Sequence, residues 1–183
     1  MNELHLSEHH KSELLRISRA TLDEYLLSGM IPPGKPHSFI LLQNSAAFVT
    51  LKTEEGSLRG CIGTFAADKP LYKTIQEMTV AAATQDPRFP PVVEDETDSL
   101  TIEISVLSGL KEVAADDVQV GVHGVFITRG RQSGVLLPQV PVEYGWGPTI
   151  FLQEVCRKAG LPADAYKLPD TKIEVFTAQV FSE

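Results

Sequence analysis

The stretch Leu58-Arg59-Gly60-Cys61-Ile62-Gly63-Thr64-Phe65 restricts the fold more than any other part of the chain. Its β-branched and apolar residues suit an extended strand, and its two glycines let another surface come close to the backbone. Extended residues alternate faces, so Arg59, Cys61, Gly63 and Phe65 share one side while Leu58, Gly60, Ile62 and Thr64 share the other. A thiol and a guanidinium are therefore expected side by side. A neighbouring cation favours a thiolate, the form that attacks electrophiles and binds soft metals. The competing reading makes Cys61 a small core residue beside glycines that serve a tight bend.

Residues 46–52 read as a strand, 53–57 as a turn and 58–64 as the returning arm, which places Cys61 in the middle of a hairpin. Before it, residues 7–27 carry Leu14, Ile17, Leu22, Tyr25 and Leu26 at helical spacing, with Ser7 as N-cap and Gly29 as the stop. Pro32, Pro33, Gly34 and Pro36 force a surface connection. After it, Pro70 is placed to begin a helix striped by Leu71, Ile75, Met78 and Ala82 and ending near Gln85. Leu100, Ile102, Ile104 and Val106 alternate with polar residues as in a half-buried strand. Residues 111–120 are acidic and irregular.

A second hairpin is expected with arms at 125–128 and 135–137 and a turn at 130–134. Residues 138–147 read as a loop, and Pro148 opens a helix with Ile150, Phe151, Val155 and Ala159 that stops at Gly160. A helical turn at 161–166 and a closing strand at 172–181 complete the chain. Cys156 falls on the apolar side of its helix and reads as core. Together these elements predict an α+β fold: a largely antiparallel sheet built from hairpins, with packed helices, in a single domain spanning 1–183.

A formal charge of −8 and a pI near 5.1 disfavour nucleic acid or an anionic membrane as partner, since both need a positive field. No apolar run is long enough to span a bilayer. Met1-Asn2-Glu3-Leu4-His5 lacks the basic-then-apolar order of a secretion signal, and Cys61 and Cys156 are far apart with no paired metal-type spacing. The expectation is a cytoplasmic protein with reduced thiols. The residues name no cofactor and leave open whether a partner supplies one or a metal; His5, His9 and His10 offer only one helical pair, and solvated rings are the expected state.

Functional groups occur at four further places. Arg88 lies between prolines in Asp86-Pro87-Arg88-Phe89-Pro90-Pro91, where its guanidinium either pairs with Asp86 or grips a carboxylate or phosphate. Glu103 on its strand is an acid or base if that face lines a cavity, and otherwise meets water. His123, in Gly121-Val122-His123-Gly124, is either a general acid or base or a structural ring bonding a backbone carbonyl. Gln139, Glu143, Tyr144 and Trp146 enrich residues 138–147 in polar and aromatic groups. An enzyme would use Cys61 as nucleophile aided by Arg59, His123 as acid or base, and Gln139 or amides near Gly60 and Gly63 for a developing oxyanion. Its reaction would be acyl or related group transfer, or hydrolysis, on a small polar substrate.

The octapeptide resembles the hallmark of the AMMECR domain family, called protein A in the AmmeMemoRadiSam system. Asp86-Pro87-Arg88-Phe89-Pro90-Pro91, Gly121-Val122-His123-Gly124-Val125, and Leu136-Leu137-Pro138-Gln139-Val140 followed by Glu143 and Trp146 extend the resemblance over nearly the whole chain. The resemblance implies a larger and a smaller lobe with a cleft near the octapeptide. It also implies an alternative to catalysis: a binding subunit working with Memo-type and radical SAM proteins. Arg59, Arg88, Gln139, Glu143 and Trp146 would then form the recognition surface.

Overall fold

A computed structural model describes residues 4–183; part of the stretch read for a secretion signal, Met1 to Glu3, lies outside the described residues. In chain order the elements are α1 (Glu8–Ser28), β1 (Ala47–Thr53), β2 (Leu58–Thr64), α2 (Leu71–Thr84), β3 (Leu100–Leu107), β4 (Lys111–Glu112), β5 (Gly124–Arg129) and β6 (Gln132–Leu136). They continue with α3 (Gln139–Glu143), α4 (Pro148–Lys158), β7 (Lys172–Phe176) and β8 (Ala178–Ser182), and short 3₁₀ turns join several of them. The chain divides into two compact units, one ending at Leu107 and regaining Gln179–Glu183, the other Ser108–Ala178. Each has its own four-stranded sheet and its own apolar core. No described helix is long and apolar enough to cross a membrane.

The first unit's sheet runs in the order β2-β1-β3-β8, with β2 at an edge. Both pairings of β1 are antiparallel, setting Val49 between Ile62 and Ile104, and Thr50 between Cys61 and Glu103. Val49, Leu51, Ile102 and Ile104 are buried with Leu14, Ile17, Leu22 and Ile75 from α1 and α2. Ser7 caps α1 as expected, its hydroxyl accepting the His10 N–H while His10 Nδ1 accepts the Ser7 N–H; Gly29 ends the helix at φ 74°. His10 therefore works in a capping box.

Apolar spacing understates how much of these helices is buried. Glu13, Ser18 and Thr21 of α1 and Thr74, Gln76 and Thr79 of α2 are buried too. Ser18 and Thr79 hydroxyls meet at 2.7 Å, and Gln76 Nε2 donates to Thr21 Oγ1 at 3.2 Å. Thr21 and Thr79 each donate to the carbonyl four residues earlier. Ser18, Thr21, Gln76 and Thr79 thus form a polar seam between the helices, bonded to one another and to their own helix backbones.

The second unit's sheet has the order β4-β7-β5-β6. The β5–β6 turn is tighter than expected: Arg129 pairs with Gln132, leaving only Gly130 and Arg131 to connect the arms. Residues 132–134 belong to the strand. Gly134, expected in the turn, instead makes room for α4, since a Cβ there would lie 2.6 Å from Ala159 N and 2.8 Å from the Val155 carbonyl. Residues 139–143 also depart from the expected loop, forming the short helix α3. Cys156 is buried in the α4 core as expected, and burial pushes its thiol up.

The closing strand is two strands. Residues Lys172–Phe176 join the second unit's sheet, and Ala178–Ser182 join the first unit's. The break falls at Thr177, whose N–H donates to Ser108 Oγ and whose carbonyl accepts the Ser108 N–H. Composition alone cannot show such a change of partner, because both halves are equally suited to a strand.

Gly60 fixes the approach of β2 to α2: a Cβ there would lie 2.2 Å from the Ala82 carbonyl oxygen. Gly60→Ala is expected to lower stability by about 1–3 kcal/mol, seen as a lower urea midpoint, because rigid backbone on both sides must separate. Gly147→Ala has open space at its Cβ but removes a favoured N-cap glycine from α4, and should cost less, about 0.5–1 kcal/mol.

Candidate functional site

Cys61 lies midway along β2 and is half-buried. Because β2 is an edge strand, its outward backbone groups have no neighbouring strand to bond. At Cys61 a side-chain pair takes that place. The Cys61 N–H donates to Asp86 Oδ2 at 2.8 Å, and Arg88 Nη2 lies 3.4 Å from the Cys61 carbonyl. With both backbone groups directed away from β1, Cys61 and Thr50 form the close, non-hydrogen-bonded kind of cross-strand pair. The Thr50 hydroxyl accordingly donates to Cys61 Sγ at 3.1 Å.

Asp86 is only 5% exposed, and a buried carboxylate must be compensated. Arg88 closes a fork on it, Nε to Oδ1 at 2.9 Å and Nη2 to Oδ2 at 2.7 Å, while the Arg88 N–H donates to Oδ1 at 3.1 Å. These bonds, the Arg88 side chain first, hold the Asp86 carboxyl well below the usual carboxylate range. Of the two readings of Arg88, pairing with Asp86 is therefore present in the fold. The Arg88 side chain remains 55% exposed, and its guanidinium lies over the Phe89 ring, 5.6 Å from its centre.

Arg59 does not direct its guanidinium to Cys61. It is held by both oxygens of Glu96, Nε at 2.7 Å and Nη2 at 2.9 Å, and by the Pro90 carbonyl at 3.0 Å. Alternation put both residues on one face of the strand, but a long side chain reaches well beyond its own position. The Arg59 bonds lower the Glu96 carboxyl and tie residues 90–96 to the strand. Gly63 sits beneath the Phe48 ring, which a Cβ would meet at 2.1 Å.

The face bearing Cys61 and Thr50 continues to Glu103 on β3, which accepts from Lys52 Nζ at 2.7 Å. Strand alternation exposed this face in the sequence, but only the register places Glu103 directly across from Thr50. Glu103 and Thr50 thus join the residues foreseen around Cys61, and Thr50 carried no recognisable signal.

The remaining site candidates belong to the second unit. His123 is half-buried, and its Nδ1 accepts the Gln119 N–H at 3.2 Å. Its backbone bond is thus to an amide, not a carbonyl, and the neutral ring carries its proton on Nε2. In that tautomer the free nitrogen donates; it does not abstract. Gln139 begins α3, Glu143 ends it exposed, and Trp146 packs partly against the local core with Tyr144 stacked on it at 4.8 Å. Among the described residues no cluster of His, Cys, Asp or Glu is arranged to hold a metal ion.

Residues 15–181 match the AMMECR1 family. The chain belongs to that family. Protein MK0488 of Methanopyrus kandleri is 44% identical over 179 residues, covering 93% of this chain and 86% of its own. Protein TK0174 of Thermococcus kodakarensis is 41% identical over 181 residues, covering 93% and 88%. A crystal structure of the uncharacterized protein PH0010 from Pyrococcus horikoshii superposes with a TM-score of 0.86 at 40% identity, over 93% of this chain and 89% of that one. The α+β fold is therefore that of a solved AMMECR1-family relative.

Within this AMMECR1-family chain the Asp86 clamp has a pH signature. A depressed folded-state carboxyl adds stability that is full above its unfolded value, about 3.9, and declines as pH falls below it toward the folded value. Urea midpoints should drop more steeply below about pH 4 for the parent than for Asp86→Asn. At pH 7 that variant should be less stable by about 1–3 kcal/mol, since the Cys61 N–H and the Arg88 fork lose a charged acceptor. Equal pH slopes for the two would contradict the clamp.

Proposed function

We propose that Cys61 is the reacting thiol of a group-transfer or hydrolytic enzyme acting on a small polar substrate. One observation supports this above others: the residue is half-exposed on a strand whose backbone is locked on both sides by Asp86 and Arg88, with a hydroxyl on its sulfur. A rigid element can hold a nucleophile at fixed geometry, which a loop does less well. Arg88, not Arg59, is the cation beside Cys61, and its exposed side is free to meet an anionic substrate group. Glu103 and Lys52 add polar groups on the same face.

A second reading has the chain as a binding subunit for Memo-type and radical SAM proteins. Tyr144, 67% exposed and stacked on Trp146, favours it, because aromatic groups presented to solvent are frequent anchors of protein interfaces. Co-purification with a Memo-type protein would be lost in Tyr144→Ala under this reading and retained under the first.

The enzyme reading is tested by thiol chemistry. The chain has two cysteines, and Cys156 is fully buried, so alkylation of the folded protein reports Cys61. Iodoacetamide at pH 7 should modify Cys61 faster than N-acetylcysteine, and Arg88→Ala should slow it several-fold. A rate below that of N-acetylcysteine, unchanged by Arg88→Ala, would remove the thiol from the mechanism.

A further inference from the structure

In the first unit, two adjoining hollows of about 310 and 230 Å³ lie between α1 and residues 32–37, and both are walled by Arg16 and His37. Together they reach the size of ordinary small-molecule pockets. Neither is lined by the residues around Cys61. The proline-rich wall is held in place at three points. Gln76 Nε2 donates to the Pro32 carbonyl at 2.9 Å, the His37 N–H donates to Glu13 Oε1 at 2.6 Å, and Gly34 rests so close to the Tyr72 ring that a Cβ would come within 2.5 Å of it. A loop tied in this way forms a preshaped surface.

The charges on these walls are unusual in not answering one another. Arg16 and Lys35 are both exposed, and neither has an ion-pair partner among the described residues. Glu13 lines the smaller hollow and is only 5% exposed. While its Oε1 is bonded to the loop, its Oε2 is buried and has no hydrogen-bond partner, the sole such side-chain atom among the described residues. A buried carboxylate oxygen without a donor is costly, and native folds rarely keep one without a purpose. His9 and His37 flank it with exposed rings. Oε2 itself has almost no accessible surface, so a donor entering from the hollow reaches it only once the side chains covering it move.

We propose that these hollows form a binding site, separate from the Cys61 face, for a small molecule bearing both an anionic group and a hydrogen-bond donor. The anion, carboxylate or phosphate, faces Arg16 and Lys35, and an ammonium or hydroxyl group of the same molecule donates to Glu13 Oε2. Neither half of this chemistry suffices alone. A bare anion would lie near the Glu13 carboxylate without satisfying it. A metal ion would need a cluster of ligands that the described residues do not provide here. Guanidinium and ammonium groups recognise both oxyanions, so the headgroup is set by the shared chemistry and resolved by measurement.

Calorimetric titration of the full chain with O-phosphoserine, L-aspartate and inorganic phosphate tests the site. O-phosphoserine or L-aspartate should bind, the tighter of the two identifying the headgroup, and Arg16→Ala should weaken that binding at least tenfold. Glu13→Gln keeps an oxygen for the His37 N–H but can replace the free acceptor with a donor. It should weaken the amino-acid ligand at least tenfold while changing inorganic phosphate binding less than twofold. N-acetylation of the ligand, which removes the ammonium group without touching the protein, should reproduce that loss in the parent chain. Absence of millimolar binding by all three probes, or binding indifferent to Arg16→Ala, would overturn the site. Equal affinity of the acetylated and free ligands would overturn the role of Glu13.

Discussion

A buried carboxylate stands where a fifth strand would otherwise have to be. β2 is the edge of its sheet, and an edge at Cys61 leaves an amide and a carbonyl that must find partners if they are covered. Asp86 accepts the one and Arg88 approaches the other, while the two bind each other through a fork. Each group solves a problem set by another. The burial of Asp86 is tolerable because two backbone N–H donors and a guanidinium surround it, and the edge of β2 is closed because Asp86 is there. Much of the first unit's geometry near Cys61 follows from this arrangement.

The same region is tightened by contacts in which side chains are absent. Gly60 brings β2 against the backbone of α2, and Gly63 lets the Phe48 ring lie over the opposite face. Arg59 then fastens residues 90–96 to the strand through Glu96 and the Pro90 carbonyl. The octapeptide and the proline-rich segment that begins at Asp86 are thus two halves of one clamp. Cys61 is held at its centre by bonds to its backbone, which leaves its sulfur free to be set by Thr50 alone. Rigid backbone with an accessible side chain is the arrangement that positioned chemistry and specific binding both require.

Much of the architecture was legible because local rules coincide with the tertiary answer. Ser7, Gly29 and Pro70 mark helix ends for reasons confined to a single turn of chain, and the 47–64 hairpin follows from alternation and a polar turn. Errors arose where a residue serves a distant neighbour. Gly134 looks like a turn residue but makes way for α4; Arg59 looks like the partner of Cys61 but reaches Glu96. Residues 172–181 look like one strand because nothing in their composition records that the chain changes sheets at Thr177. The buried polar faces of α1 and α2 were invisible for a related reason: a Thr or Glu reads as solvent-facing until its bonding partner is known.

By itself the sequence determined the class of fold, the existence and kind of the longer elements, the family, and the segments in which functional groups gather. Those properties rest on periodicity, caps and short motifs, all of which are encoded within a few residues of one another. Only the tertiary structure decided which charges meet. It gave Arg88 to Asp86 and Arg59 to Glu96, put Thr50 on the Cys61 sulfur, turned the His123 ring so that Nδ1 faces an amide, and left one oxygen of Glu13 without a donor. Such pairings depend on distances between groups separated by tens of residues, and a linear pattern carries no measure of those distances until the backbone has closed.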